Sequence, residues 1–151
     1  MRTWGQTMPP TAKVVFYKAE VLDAVHEVSE LALKEIAEAA QAEAQDSIRR
    51  NDQVDAGFLL NSIYALWPGG DSYNQTWPSG TYRGKKSGRE QRRERAPQVS
   101  LPANVVVGLA SAAVYAIYVE TRQSFLYTAV LQMRSQVDRI VSQVGRQVIG
   151  R

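Results

Sequence analysis

The stretch "NDQVDAGFLLNSIYAL", residues 51–66, decides how this chain is read. It follows a long acidic, alanine-rich segment and runs into residues with strand character, so it is either a catalytic loop or a structural corner. Local chemistry favours the corner. Asp side chains accept hydrogen bonds from nearby backbone amides in turns, and Gly adopts φ > 0 at little cost. Asp55, Ala56 and Gly57 supply both features in sequence. The expectation is that Asp55 fastens the corner's amides while Leu59 and Ile63 enter the core.

Upstream of the corner, residues 19–50 contain neither Gly nor Pro. Val21, Val25, Val28, Ala32, Ile36, Ala40, Ala44 and Ile48 recur at steps of three and four, one stripe along a helix. At 1.5 Å per residue that helix is roughly 45 Å long, and Arg49 and Arg50 suit its negative end. Residues 12–18, "AKVVFYK", read as a strand before it. Residues 61–67 and 104–109 read as a second and a third strand, "SAAVYAIYVET" as a short helix, and residues 124–150 as a closing helix. Ser124 is placed to cap that last helix, and Leu126, Val130, Met133, Val137, Ile140, Val144 and Val148 form its stripe. The order predicts an α+β fold: a small antiparallel sheet with a long N-terminal helix and a C-terminal helix on one face. The whole chain, residues 1–151, reads as a single domain.

Residues 68–102 fit no apolar period. Gly, Pro, Ser and Arg dominate, and Tyr73, Trp77 and Tyr82 are interleaved. A loop this long inside a compact domain is functional or disordered more often than idle, and part of it has the character of an extended hairpin arm. Charge is distributed unevenly around it. Between Glu20 and Asp46 eight acids face one lysine, whereas Arg83, Lys85, Lys86, Arg89, Arg92, Arg93 and Arg95 crowd a basic block with only two acids. Opposite blocks on one chain suit contact between copies or with a polyanion.

The inventory for chemistry is short. There is no Cys, so a thiolate metal site has no residues to build on, and with His26 the single His neither a His-rich metal centre nor a conventional serine triad is expected. Asp52, Asp55 and Asp71 are the only conceivable two-metal carboxylates near the corner, and only their proximity in sequence groups them. Ser62 and Ser124 lack a partner base, and no phosphate-cradling glycine loop is present. The longest apolar run, residues 105–119, falls short of the ~18–20 residues of a membrane helix. A soluble intracellular protein with no enzymatic activity, no cofactor, no metal and no membrane partner is expected.

Two segments in this order resemble the tail-completion, or head–tail joining, proteins of long-tailed double-stranded DNA phages. "QVDAGFLLNSI" is similar to that family's "PVDTGxLRxSI" through Val54, Asp55, Gly57, Leu59, Ser62 and Ile63. "VYAIYVETRQSFLYTAV" is similar to its "YAxYVExGT…PFLxPA" through Tyr115, Ala116, Tyr118, Val119, Glu120, Phe125, Leu126 and Ala129. The chain departs from the pattern at Gln53, Ala56 and Thr121-Arg122, and lacks the proline before Ala129. The resemblance implies a non-catalytic virion protein made in the host cytoplasm. It implies a six-fold ring of copies around the DNA channel, contacts with neighbouring connector and tail proteins, and at most transient contact with double-stranded DNA. The alternative is a small nucleic-acid-binding module that uses the basic arm.

Overall fold

A computed structural model of the chain describes residues 18–51, 57–73, 80–93, 97–113 and 115–150. Helix α1 spans Lys18–Arg50. Its stripe buries from Ala32 onward: Ala32, Ile36, Ala40, Ala44 and Ile48 are core residues, Val28 is half-buried, and Val25 is 57% exposed. From Ala32 onward the helix therefore rests on the domain. A short helix α2 (Phe58–Ser62) leads directly into strand β1 (Ile63–Trp67), and Pro68 and Gly69 turn the chain back into β2 (Gly70–Asp71). Strands β3 (Gly80–Arg83) and β4 (Glu90–Arg93) follow, then β5 (Gly108–Ser111) and helices α3 (Ala116–Arg122), α4 (Leu126–Met133) and α5 (Val137–Ile149).

The main sheet is antiparallel in the order β2–β1–β5, with Ile63 opposite Ser111 and Leu66 opposite Gly108. Strand β1 is central, and its first four residues are buried on both faces. Towards the helices, Ile63 packs in a cluster with Ala44, Ile48, Phe58, Phe125 and Ala129. Towards the other side, Tyr64 and Leu66 pack with Ala112, Tyr73 and Leu101. Two amides tie α1 to this strand and its approach: Gln41 donates to the Ile63 carbonyl at 3.0 Å and Gln45 to the Leu60 carbonyl at 3.2 Å. The fold is α+β as expected, with helices on one sheet face.

Several boundaries differ from the sequence reading, for physical reasons. The strand expected at residues 61–67 begins at Ile63. Asn61 and Ser62 close a helical turn instead, with Asn61 Nδ2 donating to the Gly57 carbonyl and Ser62 Oγ to that of Leu59. The third strand lies at Gly108–Ser111 rather than at 104–109. Gly108 opens the strand opposite Leu66, while Val105 closes a turn onto the Pro102 carbonyl that keeps residues 102–105 out of the ladder. The closing helix is two helices, because Gln136 N–H bonds the Met133 carbonyl in a turn over residues 134–136. Each half then packs on α1 separately. Ala129 and Phe125 meet Ala44 and Ile48, whereas Ile140 and Val144 meet Ala32, Ile36 and Ala40. The break leaves Val130, expected in the stripe, 53% exposed, and buries Ala129 in its place. The strand expected at 12–18 lies outside the described residues, except for Lys18, which opens α1.

Candidate assembly interface

The two motif segments, some fifty residues apart in the chain, come together in one cluster. Leu59, Ile63 and Phe125 are buried there, with Phe58, Ala113 and Ala116, and Leu126, Tyr115 and Val119 are packed against them. Phe58 and Tyr115 stack at a tilt with centroids 6.2 Å apart. The Ser62 hydroxyl meets that of Ser111 at 2.8 Å, and the Ser111 hydroxyl also accepts the Ala113 N–H at 3.2 Å. The Ser62 hydroxyl thus links the end of α2 to the end of β5. Gly57 stands at φ +77°, the left-handed region expected for the corner. Val54 and Asp55, with Asp52, fall outside the described residues, as does the fastening role expected of Asp55.

Glu120 plays the part expected of Ser124. Its carboxylate accepts the backbone N–H groups of Phe125 and Leu126 on Oε2, at 2.8 and 2.9 Å, and that of Tyr127 on Oε1 at 3.1 Å. Ser124 donates its hydroxyl to the same carboxylate at 2.9 Å rather than capping α4 itself. The first N–H groups of a helix lack intrahelical acceptors, and an anion there is also favoured by the helix dipole. Burial opposes the charge on Glu120, but these donors outweigh it and hold the carboxyl below the ordinary glutamate range. One side chain of α3 therefore fixes where α4 starts. Tyr118, matched in the same motif, is instead 70% exposed beside Ile117 at 66%.

The arm is a hairpin. β3 and β4 pair in register from Gly80–Arg93 to Arg83–Glu90 and form a two-stranded sheet of their own, not hydrogen-bonded to the main sheet. Its tip is closed by Gly84 N–H to the Arg89 carbonyl at 2.9 Å and by Arg83 Nε to the Gly88 carbonyl at 2.6 Å. Arg83, Lys85, Lys86 and Arg89 are exposed along that tip. Arg92 and Arg93 contribute backbone to β4, and Arg95 and Trp77 lie outside the described residues. Both ends of the arm are pinned near Tyr64. Tyr73 packs edge-on against its ring at 4.9 Å, and its hydroxyl accepts the Val99 N–H at 3.0 Å. Asp71 caps the outgoing turn through Tyr73 N–H and also accepts from the Gln98 amide at 2.7 Å, so it is occupied in the arm's base.

Several acids of the helix are engaged by neighbouring side chains of the same helix. His26 pairs with Glu30 at 3.1 Å, Lys34 with Glu38 at 3.9 Å, Arg49 with Asp46 at 2.6 Å, and Arg50 with Glu43. Sequence reasoning missed Gln41, Gln45 and Ser72, whose polar bonds join α1, β1 and the β2 turn. Nothing in a single sequence marks a helix-face Gln as a clamp on a strand. It also missed an apolar groove between α1, β5 and α4, where Val130 and Leu131 are half-exposed. Among the described residues no helix is long and apolar enough to cross a membrane, and no cluster of three or more His, Asp or Glu is placed to hold a metal ion. No family model, no curated protein and no solved structure matches the chain.

Proposed function

We propose that this chain is a non-catalytic subunit of a phage head–tail junction, forming a ring around the DNA channel that joins the tail to the head. The observation that carries the reading is the meeting of the two family-like segments in one core, with Ser62 on Ser111 and Glu120 seating α4. Segments kept for chemistry would present polar groups to a cleft. These present them to each other and to backbone, as a scaffold does. A closed ring of identical subunits needs two different surfaces that match. The exposed basic hairpin tip and the acidic outer face of α1 form such a pair. Neighbouring connector and tail proteins would cover the faces above and below, in a virion assembled in the host cytoplasm.

A second reading is favoured by one specific feature, the hairpin that stands as a separate sheet with Arg83, Lys85, Lys86 and Arg89 exposed. Such an arm suits phosphate contact, and affinity for DNA would then fall steeply with salt. Native mass spectrometry of the chain at low and high salt, with and without double-stranded DNA, separates the two. A ring indifferent to DNA, formed by the chain alone or with a tail or connector partner, is the expected result. A monomer that binds DNA with a steep salt slope and never self-associates would replace the ring with the nucleic-acid module.

A further inference from the structure

We propose that β5 of one copy pairs antiparallel with β5 of a second copy, about a two-fold axis at Ala110, and that the apolar grooves beside the two strands close against each other. β5 ends the sheet order β2–β1–β5, so its outer edge is open. Ala112 N–H bonds the Ser62 carbonyl at 2.9 Å, and the register pairs Tyr64 with Ala110 and Leu66 with Gly108. Antiparallel pairs alternate between bonded and non-bonded, so Leu109 and Ser111 turn their N–H and C=O groups outward. Among the described residues no strand pairs with them there. Edge strands are ordinarily guarded by charges, proline or a bulge. Residues 105–111, "VVVGLAS", carry neither charge nor proline. An edge left open in this way is suited to strand pairing, in which main-chain bonds supply the affinity.

The spacing selects a second β5 as the occupant. With the axis at Ala110, Leu109 of each copy lies opposite Ser111 of the other, and residues in such a pair exchange both of their main-chain bonds. The outward groups of both residues are thereby satisfied by an identical edge. The groove agrees with this pairing. It measures about 350 Å³ and is walled by Ile36, Ala37 and Ala40 of α1, Leu109 of β5, and Val130 and Leu131 of α4. Val130 and Leu131 are 53% and 50% exposed, and the two-fold sets those of one copy against those of the other. Arg134 also lines the groove, and Asp138, exposed and of opposite sign, follows four residues on. A surface that matches itself needs both signs. Two-fold contacts of this kind use one surface twice and are the commonest in homo-oligomers. The contact goes beyond the ring reading and does not rest on it; a head-to-tail ring would carry it as a second ring, back to back.

The test uses the full chain with Arg83, Lys85 and Arg89 reversed to Glu, which disables the head-to-tail contact and leaves β5 untouched. Native mass spectrometry should find a dimer. Adding Leu131→Glu or Leu131→Lys, at a half-exposed position that folding tolerates, should leave a monomer with an unchanged circular dichroism spectrum. Mixed in equal amounts, the two variants should form a heterodimer, because the two-fold sets position 131 of one copy beside position 131 of the other. Amide exchange at Leu109 and Ser111 should slow roughly tenfold in the dimer relative to the Leu131→Glu monomer. An arm-reversed chain that is monomeric, or a dimer that survives Leu131→Glu, would overturn the proposal. So would a mixture that stays monomeric, or equal exchange in the two forms. The ring reading fails separately. A chain with its arm intact that stops at the dimer keeps this contact and removes the ring. Rings of the intact chain that fall apart to monomers on arm reversal keep the ring and remove this contact.

Discussion

The corner and the arm are built from similar ingredients and behave as opposites. Each turns on a positive-φ glycine, Gly57 at +77° and Gly88 at +63°, and each carries hydrogen-bonding side chains around the turn. Around Gly57 the next residues, Phe58 and Leu59, are buried in the main cluster with α1, α3 and α4. Around Gly88 every residue from Lys85 to Glu90 is exposed, and the strands it joins pair only with each other. The lesson is that a local motif becomes structurally important through what it is packed against. The same turn chemistry anchors a core in one place and presents a charged surface in the other.

The difference should show most strongly in the core beneath the corner. Phe125 is fully buried, between the Glu120 cap and the Ala44–Ile48 end of α1. Phe125→Ala should cost about 3–5 kcal/mol through lost burial and an unfilled cavity, a fall of the melting temperature on the order of 10 °C for a chain this long. Thermal denaturation followed by circular dichroism measures it. A loss below about 1 kcal/mol would mean that the two motif segments are not held together by this cluster.

The paired glycines give a matched comparison. Gly57→Val places a β-branched residue at φ +77° and brings its Cβ to 3.2 Å from Asn61 Nδ2. Backbone strain of about 1–3 kcal/mol is expected there, and it should appear as a lower global melting temperature. Gly88→Val meets nothing within 4 Å, so its penalty is backbone strain alone. Because the hairpin is a sheet apart, that strain should speed amide exchange in β3 and β4 while the global transition stays put. Equal melting shifts for the two variants would show that the arm and the core unfold as one unit.

How much of this was legible beforehand follows from the range of each interaction. The α1 stripe from Ala32 to Ile48 was readable because it repeats locally at helical spacing. The positive φ at Gly57 was readable because only one residue type adopts it cheaply. The split between α4 and α5 was not, since residues 134–136 contain neither Gly nor Pro and the turn reflects how each half meets α1. The valines of 105–107 have the strongest strand propensity nearby, yet the strand forms at 108–111, because Val105 is held in a turn by the Pro102 carbonyl and the pairing with β1 runs from Gly108 to Ser111. Ser124 looked like a cap by position; Glu120 reaches the same amides across a turn, and that required knowing how α3 approaches α4. The arm's hairpin was suggested only by its aromatics, as its pairing carries no apolar alternation.

Glu120 adds a pH dependence to the core side of the comparison. Its folded pKa lies below the ordinary value of 4.5, so its contribution to stability is fully present above that value. It is lost as pH falls through the lowered folded value, because the unfolded state then binds the proton first. Glu120→Gln keeps the shape, removes the anion from the helix terminus, and should cost about 1 kcal/mol at neutral pH. The gap between the two proteins should narrow below pH 4.5, since the parent then loses what the variant never had. Chemical denaturation at pH 7 and pH 3.5 measures both terms. A gap that is constant with pH would mean that the carboxylate is not the helix's effective cap.

The smallest expected effect on stability falls on the arm, where the largest effect on assembly is expected. Reversing Arg83, Lys85 and Arg89 to Glu touches three exposed residues on a sheet that shares no ladder with the core. The melting temperature of the monomer should therefore stay where it is. Facing an acidic α1 on the next copy, the reversed tip would turn attraction into like-charge repulsion, and ring formation should fail at low salt and recover partly as salt screens it. Reversal of Arg92, Arg93 and Arg95 provides a second test of the basic block. Normal assembly by both variants would take the arm out of the subunit contact. If DNA binding were lost instead, the charge would belong to the nucleic-acid reading, because the same guanidinium geometry serves carboxylate and phosphate alike.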